Sequence, residues 1–187
     1  MQPRETTDTV IIGAGFTGAS VAYPWSRRAT GERRAVVLEM DDPASGASGR
    51  NEGLVVMGRY FAMVHGTVNK HLHLVRADLS PPERDQLARQ FAAVYCRAAY
   101  KNADMTEQTI QTESLDCDYA RAGWVQAREG PEQPDLQASV NMAMETGCDD
   151  WTQITPQQVA DKTGMRTDHN AGYSKAAGSF HPAKWVW

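Results

Sequence analysis

Three glycines, Gly13, Gly15 and Gly18, stand at the spacing GxGxxG in the run Gly13-Ala14-Gly15-Phe16-Thr17-Gly18. That spacing has a chemical use. The first glycine permits a tight turn out of a strand. The second lets backbone N–H groups come close to a pyrophosphate, and the third lets a helix pack tightly on the strand. The free N–H groups and partial positive charge of the helix N-terminus then face the phosphates. Alone, the spacing is a weak signal. Glu39 strengthens it, standing 26 positions after Gly13 at the end of an apolar run. A carboxylate there accepts both hydrogen bonds of a ribose diol and repels a 2′-phosphate, which disfavours NADP. The pattern predicts a dinucleotide-binding site.

A second segment with chemical capacity follows: Ala44-Ser45-Gly46-Ala47-Ser48-Gly49-Arg50-Asn51-Glu52-Gly53. Hydroxyls and free backbone suit a second pass along a pyrophosphate, and Arg50 and Asn51 add charge and amide hydrogen bonds. Gly53 allows backbone approach to an aromatic ring system. By composition the segment reads equally well as a flexible surface loop. The choice between FAD and NAD stays open on these residues.

The elements that position these groups are legible. Thr9-Val10-Ile11-Ile12 is a short β-branched run and reads as a buried parallel strand. A helix is expected over 19–29 and a second strand over 35–39, which completes a βαβ unit. Pro24 falls inside that helix, where it removes an N–H and collides with the Ser20 carbonyl at a cost of about 3 kcal/mol. A kink or a fresh last turn is expected there. Residues 54–57 read as a short strand or an inward loop, and 60–79 as a helix weakened by Gly66. Ser80-Pro81-Pro82-Glu83 is a capping-box start for a long helix reaching Ser114. Residues 116–120 and 123–127 look like a hairpin. A loop at 130–134, a helix over 136–145, a capped helix from Thr155 to Lys162 and a strand over 172–176 complete the reading. Pro182 opens a last helix, and the sequence then stops on Trp185-Val186-Trp187. Such an apolar ending leads us to expect the N-terminal portion of a longer protein.

Other candidate chemistry reads as structural. His71 and His73 are two apart, so on a helix they point in different directions and no metal site is expected. His181 suits a capping role. Asp116 and Asp118 would share one face of a strand, where solvated edge carboxylates are commoner than acid–base pairs. Trp124 reads as core packing more readily than as the wall of a substrate cavity. Cys96, Cys117 and Cys148 are odd in number and lack CxxC spacing, against a disulfide framework or zinc site and in favour of a reducing, cytoplasmic compartment. The net charge of −4 argues against a general nucleic-acid binder. No apolar run is long enough to span a membrane, and the N-terminus lacks a secretory h-region.

The run DTVIIGAGFTG, the acid closing AVVLE and the loop GASGRNEG resemble the D-amino-acid-oxidase-like family of FAD-dependent oxidoreductases, especially its gamma-glutamylputrescine oxidase-like branch. CDYARAGWVQ and AGSFHPAKWV are similar to later parts of that family. The resemblance implies an α/β, Rossmann-like FAD-binding domain with a parallel sheet and a helical insertion, then the start of an α+β substrate domain, truncated. The boundaries it implies are 1–114 for the FAD-binding part, 115–180 for the substrate part and 181–187 for a helix returning to the FAD domain. It implies non-covalent FAD, no histidine preceding His65 in the chain. Gly13, Gly15, Phe16, Thr17 and Gly18 would surround the pyrophosphate, and Glu39 with Met40 the adenosine. Ser48, Gly49, Arg50, Asn51, Gly53 and Leu54 would line the way to the flavin. Two residues depart from the family pattern: Glu52 replaces a glycine, and Pro24 interrupts a helix. The implied activity is oxidation of a small-molecule amine or amino acid by hydride transfer to flavin N5, with this portion alone inactive. The alternatives are another FAD- or NAD-linked oxidoreductase, a non-catalytic dinucleotide-binding remnant, or a truncated gene product. Substrate, electron acceptor and oligomeric state are not legible.

Overall fold

The structure, a computed structural model, describes residues 6–57, 61–127, 134–145 and 147–187. The expected loop at 130–133, the helix-ending Thr146 and the helix start at Tyr60 lie outside the described residues. By packing, the chain divides into two compact units. One comprises Met1–Leu54, Glu113–Tyr119 and Ser179–Trp187, and the other Val55–Thr112 and Ala120–Gly178. The sequence reading sets its boundary at 114/115; packing groups nearly all of the long helix with residues 120–178.

In the first unit, β1 (Thr9–Ile12) and β2 (Ala35–Leu38) pair in parallel, from Thr9 opposite Ala35 to Ile12 opposite Leu38. The helix α1 (Phe16–Arg28) connects them, so the βαβ unit forms. The expectation of a buried β1 is corrected. Only Ile11 is buried, while Val10, Ile12 and Leu38 are 51%, 87% and 52% exposed. Alternation along the pleat gives the reason: Ile11 lies on the face toward Gly18, and Val10, Ile12 and Leu38 share the other face. Pro24 falls within the span of α1. It sits inside one continuous helix, whose last turn is closed by the Ala29 N–H on the Trp25 carbonyl.

A short ladder pairs β3 (Leu54–Val55) with β7 (Gly178–Ser179), and α6 (Pro182–Val186) follows it. The second unit holds α2 (Phe61–Leu72), α3 (Pro81–Glu113), β4 (Trp124–Gln126), α4 (Pro134–Glu145), β5 (Trp151–Ile154), α5 (Pro156–Thr163) and β6 (Ala171–Ser174). The helix expected to reach residue 79 ends at Leu72 instead, because Leu74 and Val75 lie in solvent and offer no buried face to extend it. The long helix runs 33 residues, as its uninterrupted pattern predicts. Glu83 reaches back to the Ser80 N–H at 2.7 Å and also accepts the Ser80 hydroxyl. At α5 both arms of the capping box form between Thr155 and Gln158, and Gly164 ends the helix in the left-handed region.

The expected hairpin of 116–120 with 123–127 does not form. Instead β4 and β5 flank β6, both antiparallel to it, in the order β4-β6-β5. Sequence reading missed β5, whose interior pair Thr152-Gln153 carries no apolar alternation. Two clusters form the core of this unit. Phe61 packs with Ala92, Ala93, Cys96, Met142, Ala143 and Cys148, and α5 lays Val159 on Ile154 and Ala171. The buried carboxylate of Asp150 accepts the Ser174 hydroxyl at 2.7 Å. Burial and then the nearby Asp150 charge push the Tyr100 hydroxyl up.

A polar network ties the three helices together. Asp85 on α3 pairs with His65 of α2 at 2.8 Å and with Arg89 at 3.0 Å, and Arg89 reaches Glu145 of α4 at 3.7 Å. The Arg89 hydrogen bond first, and then the His65 contact, hold the Asp85 carboxyl below its usual range. A lowered folded pKa stabilises above the unfolded carboxylate pKa, and that contribution is lost as pH falls through the folded value. We therefore predict that Asp85→Asn lowers Tm by a constant amount from about pH 5 upward, near and above the ordinary carboxylate range. The difference from wild type should shrink as pH falls below the ordinary carboxylate range. A Tm difference unchanged through acid pH would show that the pair adds nothing as an ion pair.

Candidate functional site

The first unit assembles its site around one turn. Gly13 leaves β1 at φ +94°, a conformation L side chains rarely adopt, and its N–H donates to the Leu38 carbonyl at 2.7 Å. The turn is thereby fastened to β2. At Gly18 a Cβ would lie 1.9 Å from the Gly13 carbonyl oxygen, so the helix rests directly on the turn. At Gly15 a Cβ would lie 2.6 Å from Ser48 Oγ. The close helix–strand approach that the third glycine predicts is present, whereas at the second glycine the near neighbour is the Ser48 side chain.

The loop after β2 closes on this turn. Ser48 Oγ accepts the Phe16 N–H at 2.9 Å, at the first residue of α1. The Ala44 N–H donates to the Ala14 carbonyl at 3.0 Å, and Ala44 is buried at φ +59°. Asn51 spends its side chain within the loop, donating to the Ala47 and Ser48 carbonyls and accepting the Gly53 N–H at 2.8 Å. Gly49 presses on the Ala44 carbonyl and Gly53 on the Phe180 carbonyl, at 2.2 and 1.9 Å from an added Cβ. The loop is an ordered part of the site, held mainly by backbone.

Glu39 lies beside the turn. Its carboxylate accepts the N–H of Ala14 at 2.5 Å and that of Met40 at 2.8 Å, with Asp41 longer at 3.4 Å. These bonds, Ala14 foremost, lower its pKa. Its charge is thus secured where the sequence places a ribose ligand, and Oε2, which accepts the Ala14 N–H, keeps further acceptor capacity. Thr17, Met40, Arg50, Glu52 and Leu54 are exposed around this arrangement. Arg50 is the cation of the loop, and α1 carries no acid in its first turn to compete for an anion.

Sequence reasoning missed an aromatic group. Phe16 meets Trp185 edge-on at 5.7 Å and Phe180 at 6.1 Å, so α6 is packed beside the glycine turn. The signal available was a bulky Phe within the glycine run. His181 caps α6 as expected, accepting the Lys184 N–H at 3.3 Å through Nδ1. The reading of Asp116 and Asp118 as strand partners is corrected: no strand forms there, and Asp118, at φ +54°, pairs with Lys184 at 3.0 Å. Trp124 stacks edge-on against Trp151 at 5.8 Å. The cysteines are buried thiols, and burial pushes Cys96 up to about 12. Among the described residues no cluster suits a metal ion, and no helix is long and apolar enough to cross a membrane.

This arrangement fits a dinucleotide. The space left by missing Cβ atoms at Gly15 and Gly18, the helix N-terminus free of acids, and the Glu39 carboxylate match phosphate and ribose in turn. Comparison with known proteins agrees. The family model for FAD dependent oxidoreductases (DAO) matches residues 8–187. One component of the anaerobic glycerol-3-phosphate dehydrogenase of Escherichia coli (strain K12) is 39% identical over 59 residues, 32% of this chain and 10% of that protein. Among solved structures, glycine oxidase from Bacillus cereus superimposes with a TM-score of 0.60 at 18% identity, covering 97% of this chain and 42% of its own. L-amino acid deaminase from Proteus myxofaciens, in complex with anthranilate, gives 0.63 at 17%, covering 98% and 36%. The chain thus spans less than half the length of these solved relatives, and its match covers a tenth of the curated one.

We predict that Ser48→Ala costs about 0.5–2 kcal/mol, the range for losing an oxygen that caps a helix N-terminus. Gly18→Ala should cost more, because its Cβ meets backbone and the helix must shift. Urea unfolding measures both. A Gly18→Ala variant as stable as wild type would refute the close approach.

Proposed function

The chain belongs to the DAO family of FAD-dependent oxidoreductases, and on that premise we propose that it carries the adenine-dinucleotide half of an enzyme oxidising the C–N bond of an amine or amino acid. FAD is the cofactor. The observation that carries the reading is the Ser48-to-Phe16 hydrogen bond, which brings the second loop onto the glycine turn. With its acceptor lone pair committed to Phe16, Ser48 has its hydroxyl proton free for a phosphate oxygen. The N-terminal turn of α1 supplies N–H groups, Arg50 charge, and Glu39 an acceptor for the ribose hydroxyls. Gly49, Asn51, Gly53 and Leu54 would lead toward the isoalloxazine, with Asn51 holding the loop's shape. When bound, the flavin supplies the two-electron acceptor for the carbon bearing nitrogen. The protein's part is to bind, orient and exclude water. No catalytic base is assigned.

The proposed domain roles follow. Residues 1–114 would belong to the FAD-binding part, 115–180 to the substrate part, and 181–187 to the return of the chain. A substrate with nitrogen is supported by the solved relatives, whose names specify glycine, L-amino acids and, for a dehydrogenase from P. horikoshii, L-proline. The glycerol-3-phosphate dehydrogenase match favours a second reading, oxidation of an alcohol carbon. It reaches only a tenth of that protein and leaves the remainder unmatched.

We predict that these 187 residues bind FAD weakly, because relatives of the same fold use more than twice the length. Tight stoichiometric uptake, read from flavin fluorescence, would show that the βαβ unit and its loop suffice. In the whole enzyme of which this chain is proposed to be one half, with oxygen excluded, a panel of amino acids and amines should bleach the bound flavin, and glycerol 3-phosphate should not. Bleaching by glycerol 3-phosphate alone would replace the C–N reading with the second one.

A further inference from the structure

Two of the cysteines, Cys96 and Cys148, lie in one packed cluster of the second unit, together with Phe61, Met142 and Ala143. Different constraints bring them there. Cys96 belongs to the buried face of α3, beside Ala92 and Ala93. Cys148 follows α4, whose end is closed by two backbone bonds. Gly147, at φ +79°, donates to the Met144 carbonyl at 3.0 Å, and Cys148 donates to the Ala143 carbonyl at 2.9 Å. That closure turns the residue after the glycine back onto the last turn of its helix. Two positions on, Asp150 accepts the Ser174 hydroxyl, and Trp151 starts β5. Cys148 is therefore fixed on both sides. Its thiol is near enough to act on Cys96: after burial, it is the next cause holding the Cys96 thiol protonated at neutral pH. Cys117 belongs to the other unit.

A buried thiol by itself is inert. A second sulfur in the same cluster changes the chemistry open to it. Cys148 keeps 8% of its surface and Cys96 only 1%, so a small oxidant reaches Cys148 first. We propose that Cys96 and Cys148 are a redox-closable pair, in which hydrogen peroxide oxidises Cys148 and Cys96 completes a disulfide between α3 and the end of α4. In the first step the Cys148 sulfur attacks one peroxide oxygen and the O–O bond breaks. Sulfur becomes a sulfenic acid, and the departing hydroxide takes the thiol proton and leaves as water. In the second step the Cys96 sulfur attacks the sulfenic sulfur and the S–O bond breaks. The hydroxide released takes the Cys96 proton, so two thiols and one peroxide give one disulfide and two waters. Cys96 is the deeper and the protonated member, which makes it the second thiol to react. The bond clamps the connection from α4 to β5 onto α3 and restricts the unfolded chain by closing a long loop. This site is independent of the flavin reading.

The three cysteines fall on separate tryptic peptides, so peptide masses identify the product. The full chain, treated with one equivalent of hydrogen peroxide and then unfolded, should lose two of its three free thiols. The peptide ending at Arg97 should be linked to the one ending at Lys162, and dithiothreitol should release it. These two readings need no variant to fold. Cys117→Ala should form the same link. In Cys96→Ala the reaction should stop at the sulfenic acid, captured by dimedone on Cys148. The oxidised chain should melt at a higher temperature than the reduced one, a rise that Cys148→Ser should abolish. Three free thiols after peroxide would overturn the proposal, as would a link through Cys117, or a link between Cys96 and Cys148 that leaves Tm unchanged.

Discussion

The first unit depends on a contact that leaves no room for a side-chain atom. The helix α1 rests on the Gly13 carbonyl at Gly18, where a Cβ would intrude to 1.9 Å. That approach holds the start of the helix at the end of β1, so that its N-terminal N–H groups stand where the proposed site would take phosphates. A methyl group at Gly18 would displace the helix and, with it, every donor of the first turn. The same constraint recurs at Gly49 and Gly53, where backbone again meets backbone. The site is therefore made chiefly of main chain, and small residues are its working parts.

Side chains then lock the backbone into register. Glu39 reaches across from the end of β2 to the Ala14 N–H, and Ser48 reaches from the next loop to Phe16. Asn51 uses both ends of its amide to hold the loop that presents Ser48. Residues that the sequence marks as ligands of a cofactor thus also build the site before any cofactor binds. The two roles are compatible, since a carboxylate or hydroxyl oxygen that accepts one bond retains further capacity. Such prior bonding lowers the cost of ordering the loop around a ligand.

The second unit uses small residues for a different end. Ala92, Ala93 and Cys96 let α3 come close to Phe61, Met142 and Ala143 of its neighbouring helices. Two of its buried polar groups are paired: Ser174 donates to Asp150 where the strand β5 begins, and Trp151 donates its indole N–H to the Met57 carbonyl at 2.6 Å. Burial of such groups is tolerated because each has a partner.

By itself the sequence determined the elements whose causes are local. The glycine spacing, the strand on either side of α1, the uninterrupted pattern of α3 and the capping box at Thr155 all rest on neighbouring residues, and each was legible. It determined the family as well, through motifs concentrated in residues 8–54. Only the tertiary structure decided what depends on distant partners. Whether 116–120 is a strand, whether β5 exists, and which face of β1 is covered turn on β6 and α1, and no local pattern encodes those contacts. Phe180 and Trp185 joined the site in the same way, from more than 160 positions beyond Phe16. The physical reason is common to all of these. Turns and caps are fixed by bonds between near neighbours, whereas strand pairing and burial are fixed by surfaces that meet only after the chain has folded.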